Sequence, residues 1–172
     1  MQSSYKLILG GGAALAAIPA SAQTINVNVT IPRLPVAEYH RPYVAIWLEK
    51  EDATPRTLSV WYDVGKAKGE GAKWLRDMRQ WWRVSGRSMR FPADGVTGAT
   101  RAPGEQKVAF TAGKGPLGQL GAGNYTLVVE AAREVGGREL LRLPFSWPPK
   151  PGSVVRAKDN SELGAVSLGF GK

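Results

Sequence analysis

The sequence predicts an all-β sandwich. Three observations carry this. Apolar and polar residues alternate in short runs, glycine- and proline-rich turns separate the runs, and no βαβ alternation appears. About seven strands and one inserted helix account for the chain, with no internal repeat and no heptad run.

The first strand is the plainest. From Thr24 to Ile31, Ile25, Val27, Val29 and Ile31 fall on one face and polar residues on the other. Pro32 and Pro35 end it. Tyr43 to Lys50 is apolar on both faces, as a central strand is. Glu49, Glu51 and Asp52 follow; they read as a solvated hairpin end rather than a metal site. Arg56 to Tyr62 is the third strand, with Leu58, Val60 and Tyr62 alternating. A Lys- and Gly-rich lead, Gly65 to Gly71, introduces the helix.

Lys73 to Gly104 is the stretch around which the rest is arranged. Trp74, Leu75, Met78, Trp81 and Trp82 form one apolar stripe at helical period. Packing of that stripe on a sheet is favoured over a platform for an aromatic ligand. Ser85-Gly86 is the expected stop. The loop Asp94-Gly95-Val96-Thr97-Gly98-Ala99-Thr100 follows, with two hydroxyls and small residues that allow close approach. Its plainer reading is a surface turn.

Beyond the loop, Gln106 to Thr111 is a strand. Gly113 to Gly123 is a hairpin connection, since the Lys and Ser/Thr of a phosphate loop are not in place. Asn124 to Glu134 and Arg138 to Trp147 form a hairpin around Gly136-Gly137. Pro148 to Gly152 breaks the chain, and about Leu163 to Phe170 supplies the last strand.

The N-terminus reads as a cleaved signal peptide over residues 1–22. Lys6 gives the positive region, Leu7 to Ile18 the apolar run, and Ala20-Ser21-Ala22 the cleavage site. Residues 23–172 then form a single exported domain, expected in the periplasm, with no transmembrane segment. Cysteine is absent, which excludes thiol nucleophiles, Cys-held metals and iron–sulfur clusters. The net charge of +9 suits an anionic membrane surface, a carboxylate-rich polymer or an acidic partner, its plainer reading is colloidal solubility, and export argues against nucleic acid. The chain has one histidine, His40, no Gly-x-Ser-x-Gly elbow and no means to build a multi-His zinc site. It is not expected to be an enzyme, and a hydrolase ranks last.

Two resemblances sharpen this. Asp94-x-x-Thr97-Gly98-Ala99-Thr100 resembles the acceptor motif of covalently flavinylated extracytoplasmic proteins, Asp-x-x-Ser/Thr-Gly-Ala-Ser/Thr. In those proteins a flavin transferase joins the FMN phosphate to the last Thr hydroxyl. The resemblance implies Thr100 as attachment residue and Asp94, Thr97, Gly98 and Ala99 as recognition residues. It also suggests that Arg101 and Arg90 offset the phosphate and that Trp81 or Trp82 stacks on the ring.

The second resemblance covers most of the exported part. His40-Arg41-Pro42-Tyr43-Val44-Ala45-Ile46-Trp47, Arg56 to Trp61, the Trp stretch, the loop, and Gly123 to Glu134 resemble the domain-of-unknown-function family DUF2271 of bacterial periplasmic proteins. This implies an immunoglobulin-like sandwich in the company of periplasmic flavin transfer and a membrane reductase linked to iron uptake. The expected function is therefore an electron-transfer module carrying FMN on Thr100. The alternative is a cofactor-free sandwich that binds a partner in metal or siderophore uptake.

Overall fold

Strict alternation makes the first strand as expected. In β1 (Thr24–Ile31), Ile25, Val27, Val29 and Ile31 are buried and the residues between them are not. The computed structural model describes residues 23–150, 152–158 and 161–171; the expected signal peptide, residues 1–22, lies outside them.

Nine strands among the described residues form two sheets. One sheet joins β5 (Gly104–Thr111), β1, β9 (Ala165–Gly171) and β8 (Val154–Lys158), in that order. The other joins β4 (Thr97–Ala99), β3 (Arg56–Tyr62), β2 (Tyr43–Glu49), β6 (Gly123–Ala132) and β7 (Arg138–Trp147). All neighbours are antiparallel except β3 and β4, which run parallel. The fold is an all-β sandwich.

The main core lies between the sheets. Val44, Ile46 and Leu48 of β2 and Leu127 and Val129 of β6 meet the inward face of β1 and Val166 and Leu168 of β9. A second core lies on the outer face of the five-stranded sheet. There Ala45, Trp47, Val60, Tyr62 and Val128 are covered by Leu75, Met78 and Trp81. This is why β2 is apolar on both faces: a sheet covers one and the Trp-rich stretch the other.

The sequence and the structure part at four places. In β3 a register shift opposite Ile46 and Trp47 leaves Leu58 without its own partner, a β-bulge. The bulge places Leu58 and Trp61 in the inner core and Val60 and Tyr62 in the outer one, in place of simple alternation.

The Trp stretch is not one helix. It is a 3₁₀ segment, Ala67–Asp77, interrupted at Lys68 and Gly69, where φ is 55° and 70°. A break at Met78 precedes a six-residue helix α1 (Arg79–Val84). The end at Ser85-Gly86 is as expected, with the Ser85 N–H bonded to the Trp81 carbonyl.

Two strands, β4 and β8, are additional to the expected seven. Both are short edge strands, and the apolar positions of β8 are Val154, Val155 and Ala157, too few to mark a face. Finally, the left-handed residue of the β6–β7 turn is Val135, with φ 53°, rather than Gly136 or Gly137.

Candidate functional site

The acceptor-like loop becomes an edge strand. Parallel pairing sets Thr97 opposite Val60, Gly98 opposite Trp61 and Ala99 opposite Tyr62. The turn before it closes on itself: the Ala93 N–H donates to Thr97 Oγ1 at 2.8 Å, and the Thr97 N–H donates to the Ala93 carbonyl at 2.9 Å. Thr97 is thereby a structural hydroxyl. Asp94 and Gly95 are exposed at the tip, and Gly95 has φ 70°, a left-handed conformation that glycine adopts freely. Gly98 lies flat on Trp61, where a Cβ would stand 3.2 Å from the indole Cδ1.

Thr100 stands just past the strand end, its N–H bonded to the Tyr62 carbonyl at 3.2 Å. It is half-buried and lines a cavity of about 400 Å³. The cavity runs along one end of the five-stranded sheet, past Asp63 after β3 and Arg41 and Tyr43 at the start of β2, to Arg133 after β6. Trp74 and Lys66 line it from the outer layer. The other motif residues, Thr97, Gly98 and Ala99, line an adjoining hollow of about 380 Å³ with Tyr62 and Phe91. Thus the five motif residues lie together, and the last of them has a cavity of its own.

Electrostatics in the cavity are mixed. His40 Nε2 is 3.0 Å from Glu38 Oε1 and its Nδ1 is 3.7 Å from Glu134 Oε2, and Lys66 Nζ is 3.9 Å from the same Glu134 oxygen. His40 therefore ties the irregular segment 32–42 to the β6–β7 turn. The Tyr43 hydroxyl donates to the Gly71 carbonyl at 3.2 Å, and burial raises its pKa above that of a free phenol.

Two expected contacts are corrected. Trp81 cannot stack on a ligand here: it is fully buried and its N–H donates to Thr57 Oγ1 at 3.1 Å. Trp82 packs against it in the outer core. The tryptophan that faces the cavity is Trp74, which is 46% exposed. Arg101 lies over the Trp61 ring, 4.9 Å from its centroid, and the cavity's cations are Arg41, Lys66 and Arg133. Arg90 is exposed and does not line the cavity.

Sequence reasoning did not single out Tyr39, Lys66 or Arg133. Their signal was faint, since each lies at a strand end or in a connection where no periodicity operates. Glu49, read as part of a solvated hairpin end, accepts from Trp47 Nε1 at 2.8 Å and from Arg142 at 2.6 Å. No group of three metal-binding side chains occurs among the described residues, and no helix among them is long and apolar enough to cross a membrane.

The cavity wall depends on Gly71. A Cβ there would lie 1.9 Å from the Asp63 carbonyl oxygen, a backbone atom that cannot swing aside. Gly71→Ala is expected to lift the 67–77 segment from β3 and to cost about 1–3 kcal/mol. A urea titration followed by Trp fluorescence measures this. A midpoint equal to wild type would show that the segment is not anchored there.

No curated protein and no solved structure matches the chain. The family model described as "Predicted periplasmic protein (DUF2271)" matches residues 24–165. The match takes in the five-stranded sheet, three strands of the other sheet with only the first residue of β9, the Trp stretch and every residue of the cavity named above, and the chain belongs to this family of periplasmic proteins.

Proposed function

We propose that the protein is a periplasmic electron-transfer module carrying FMN as a phosphoester on Thr100, loaded by a flavin transferase and working with a membrane reductase in iron or redox metabolism. The observation that carries this reading is a juxtaposition. The residue that ends the acceptor-like motif also lines a cavity of about 400 Å³, within the size range of small-ligand sites.

The residues suit the group. Thr100 offers a half-buried hydroxyl at a cavity wall, and the exposed Asp94-Gly95 tip is accessible to a transferase. Lys66 and Arg41 bring to the cavity positive charge that a phosphate needs, beside the carboxylates of Asp63, Asp77 and Glu134 that also line it. Trp74 and Tyr43 offer aromatic surface to a planar ring. FMN, when attached, supplies the electron transfer; the chain's own residues orient it and set its surroundings. In this reading the protein turns over no substrate of its own.

Intact mass after export in the presence of an active flavin transferase tests this. The expected gain is FMN less one water, on the peptide that contains Thr100. Thr100→Ala is expected to lose that gain and all flavin absorbance while unfolding within about 0.5 kcal/mol of wild type, as a substitution outside the core does. Thr100→Ser should retain the gain. An unmodified wild-type mass, with the transferase active on a control protein, would leave the cofactor-free binding module as the reading.

A further inference from the structure

The far end of the Thr100 cavity holds two polar groups that the fold leaves unused. The Arg133 side chain is only 6% exposed. Its Nε donates to Glu162 Oε2 at 2.8 Å and its Nη2 to Glu162 Oε1 at 3.1 Å. The third nitrogen, Nη1, is buried and has no hydrogen-bond partner among the described residues. The Tyr39 hydroxyl is in the same condition. Both residues line the cavity. Burial holds the Tyr39 phenol above its ordinary pKa, against the pull of the Arg133 charge, so it keeps its proton at neutral pH. Each group is thus a donor without an acceptor, and such groups are rare in folded proteins because each is destabilising.

Their position relative to Thr100 is set by the sheet. Thr100 follows β4 and Arg133 follows β6, with β3 and β2 between. Three strand spacings separate them, about 14 Å. The cavity therefore has a hydroxyl at one end and, at the other, two lining residues whose unpaired donors lie just beneath its surface.

We propose that Tyr39 and Arg133 form the ring-recognition end of this cavity, donating hydrogen bonds to the carbonyl and nitrogen acceptors of the uracil-like edge of FMN. This rests on the reading of Thr100 as the attachment residue. The assignment commits to an acceptor-rich, planar edge because Arg133 Nη1 can only donate, the Tyr39 hydroxyl has a proton to donate, and the neighbouring wall is aromatic. Both atoms are covered, so the edge reaches them only when the side chains over them shift. Tyr39 sits in residues 32–42, which form no helix or strand. Hydrogen-bond donors at that edge favour the electron-rich, reduced form of the ring and raise its midpoint potential, although the Arg133 charge itself is balanced by Glu162.

Riboflavin is the probe, because it lacks the phosphate and cannot attach to Thr100. It is titrated into the exported wild-type protein and a Tyr39→Phe variant, each without the transferase, and followed by quenching of riboflavin fluorescence. Wild type is expected to bind, and Tyr39→Phe to bind about five- to tenfold more weakly. The unliganded variant is expected to melt no lower than wild type, since the hydroxyl it loses had no partner. In protein loaded by the transferase, Tyr39→Phe is expected to show the full mass gain with a lowered midpoint potential.

Failure of wild type to bind riboflavin, or equal binding by the variant, would overturn the recognition end. Its failure is distinguishable from failure of the attachment. Tyr39-dependent riboflavin binding without a mass gain would remove only the covalent link. A mass gain on Thr100 with identical potentials in wild type and Tyr39→Phe would remove only the role of Tyr39 and Arg133.

Discussion

Trp81→Ala is expected to cost about 3–5 kcal/mol, among the largest single losses in the chain. Trp81 is fully buried at the centre of the outer core. Its ring meets Phe91 at 5.8 Å and Trp82 at 6.2 Å between centroids. Gly86 is pressed against it, so closely that a Cβ at Gly86 would lie 2.7 Å from the indole. Alanine would therefore leave a cavity that its neighbours cannot easily fill. The indole N–H also supplies Thr57 Oγ1, which shares a second bond with Ser85 Oγ at 2.7 Å. Trp81→Phe keeps most of the ring and loses that N–H, so about 1–2 kcal/mol is expected for it. Urea unfolding of both variants gives the comparison. Equal losses for alanine and phenylalanine would show that the hydrogen bond, and not packing, holds the layer. Neither variant touches Thr100, so flavin attachment at a temperature where the protein is folded should survive both.

The main sandwich was legible because alternation is a local signal. Thr24–Ile31, Arg56–Tyr62 and Arg138–Trp147 have the bounds that their patterns predict. The apolar run of β2 correctly announced cover on both faces. What failed was pattern carried across a change of geometry. The Trp stripe has the right spacing for a helix, and three of its five residues, Leu75, Met78 and Trp81, are indeed buried. Yet the backbone turns at Lys68, Gly69 and Met78, and Trp74 is carried out to the cavity. The lysine and glycines of 65–71 marked the first break, whereas Met78 carries no such mark.

The site divides in the same way. The motif residues were visible as a contiguous string, and the structure keeps them contiguous. Tyr39, Lys66, Trp74 and Arg133 come to the cavity from three other connections. Only the order of strands in the sheet brings them together, and no spacing in the sequence encodes it.

Glu130 shows the same long-range logic in the helix start, and its loss should be the second large effect. The first N–H groups of any helix lack partners within it. In α1 the residue before the helix is Met78, which has no capping side chain. The acceptor comes from β6 instead. Glu130, fully buried, takes the Trp81 N–H on Oε2 at 2.7 Å and the Gln80 N–H on Oε1 at 3.1 Å. Arg138 Nη1 adds a third donor to Oε1 at 2.7 Å. Glu130→Ala would leave the buried Trp81 N–H and the part-buried Gln80 N–H without acceptors, while Arg138, 41% exposed, can turn to water. The expected cost is about 2–4 kcal/mol. Glu130→Gln tests whether shape or acceptors matter. It keeps the volume but sets an NH₂ against an N–H, so it should lose most of the same stability. Chemical denaturation of the pair decides. A glutamine variant as stable as wild type would mean that filling the space suffices, and that the helix start is held by packing of Trp81 alone.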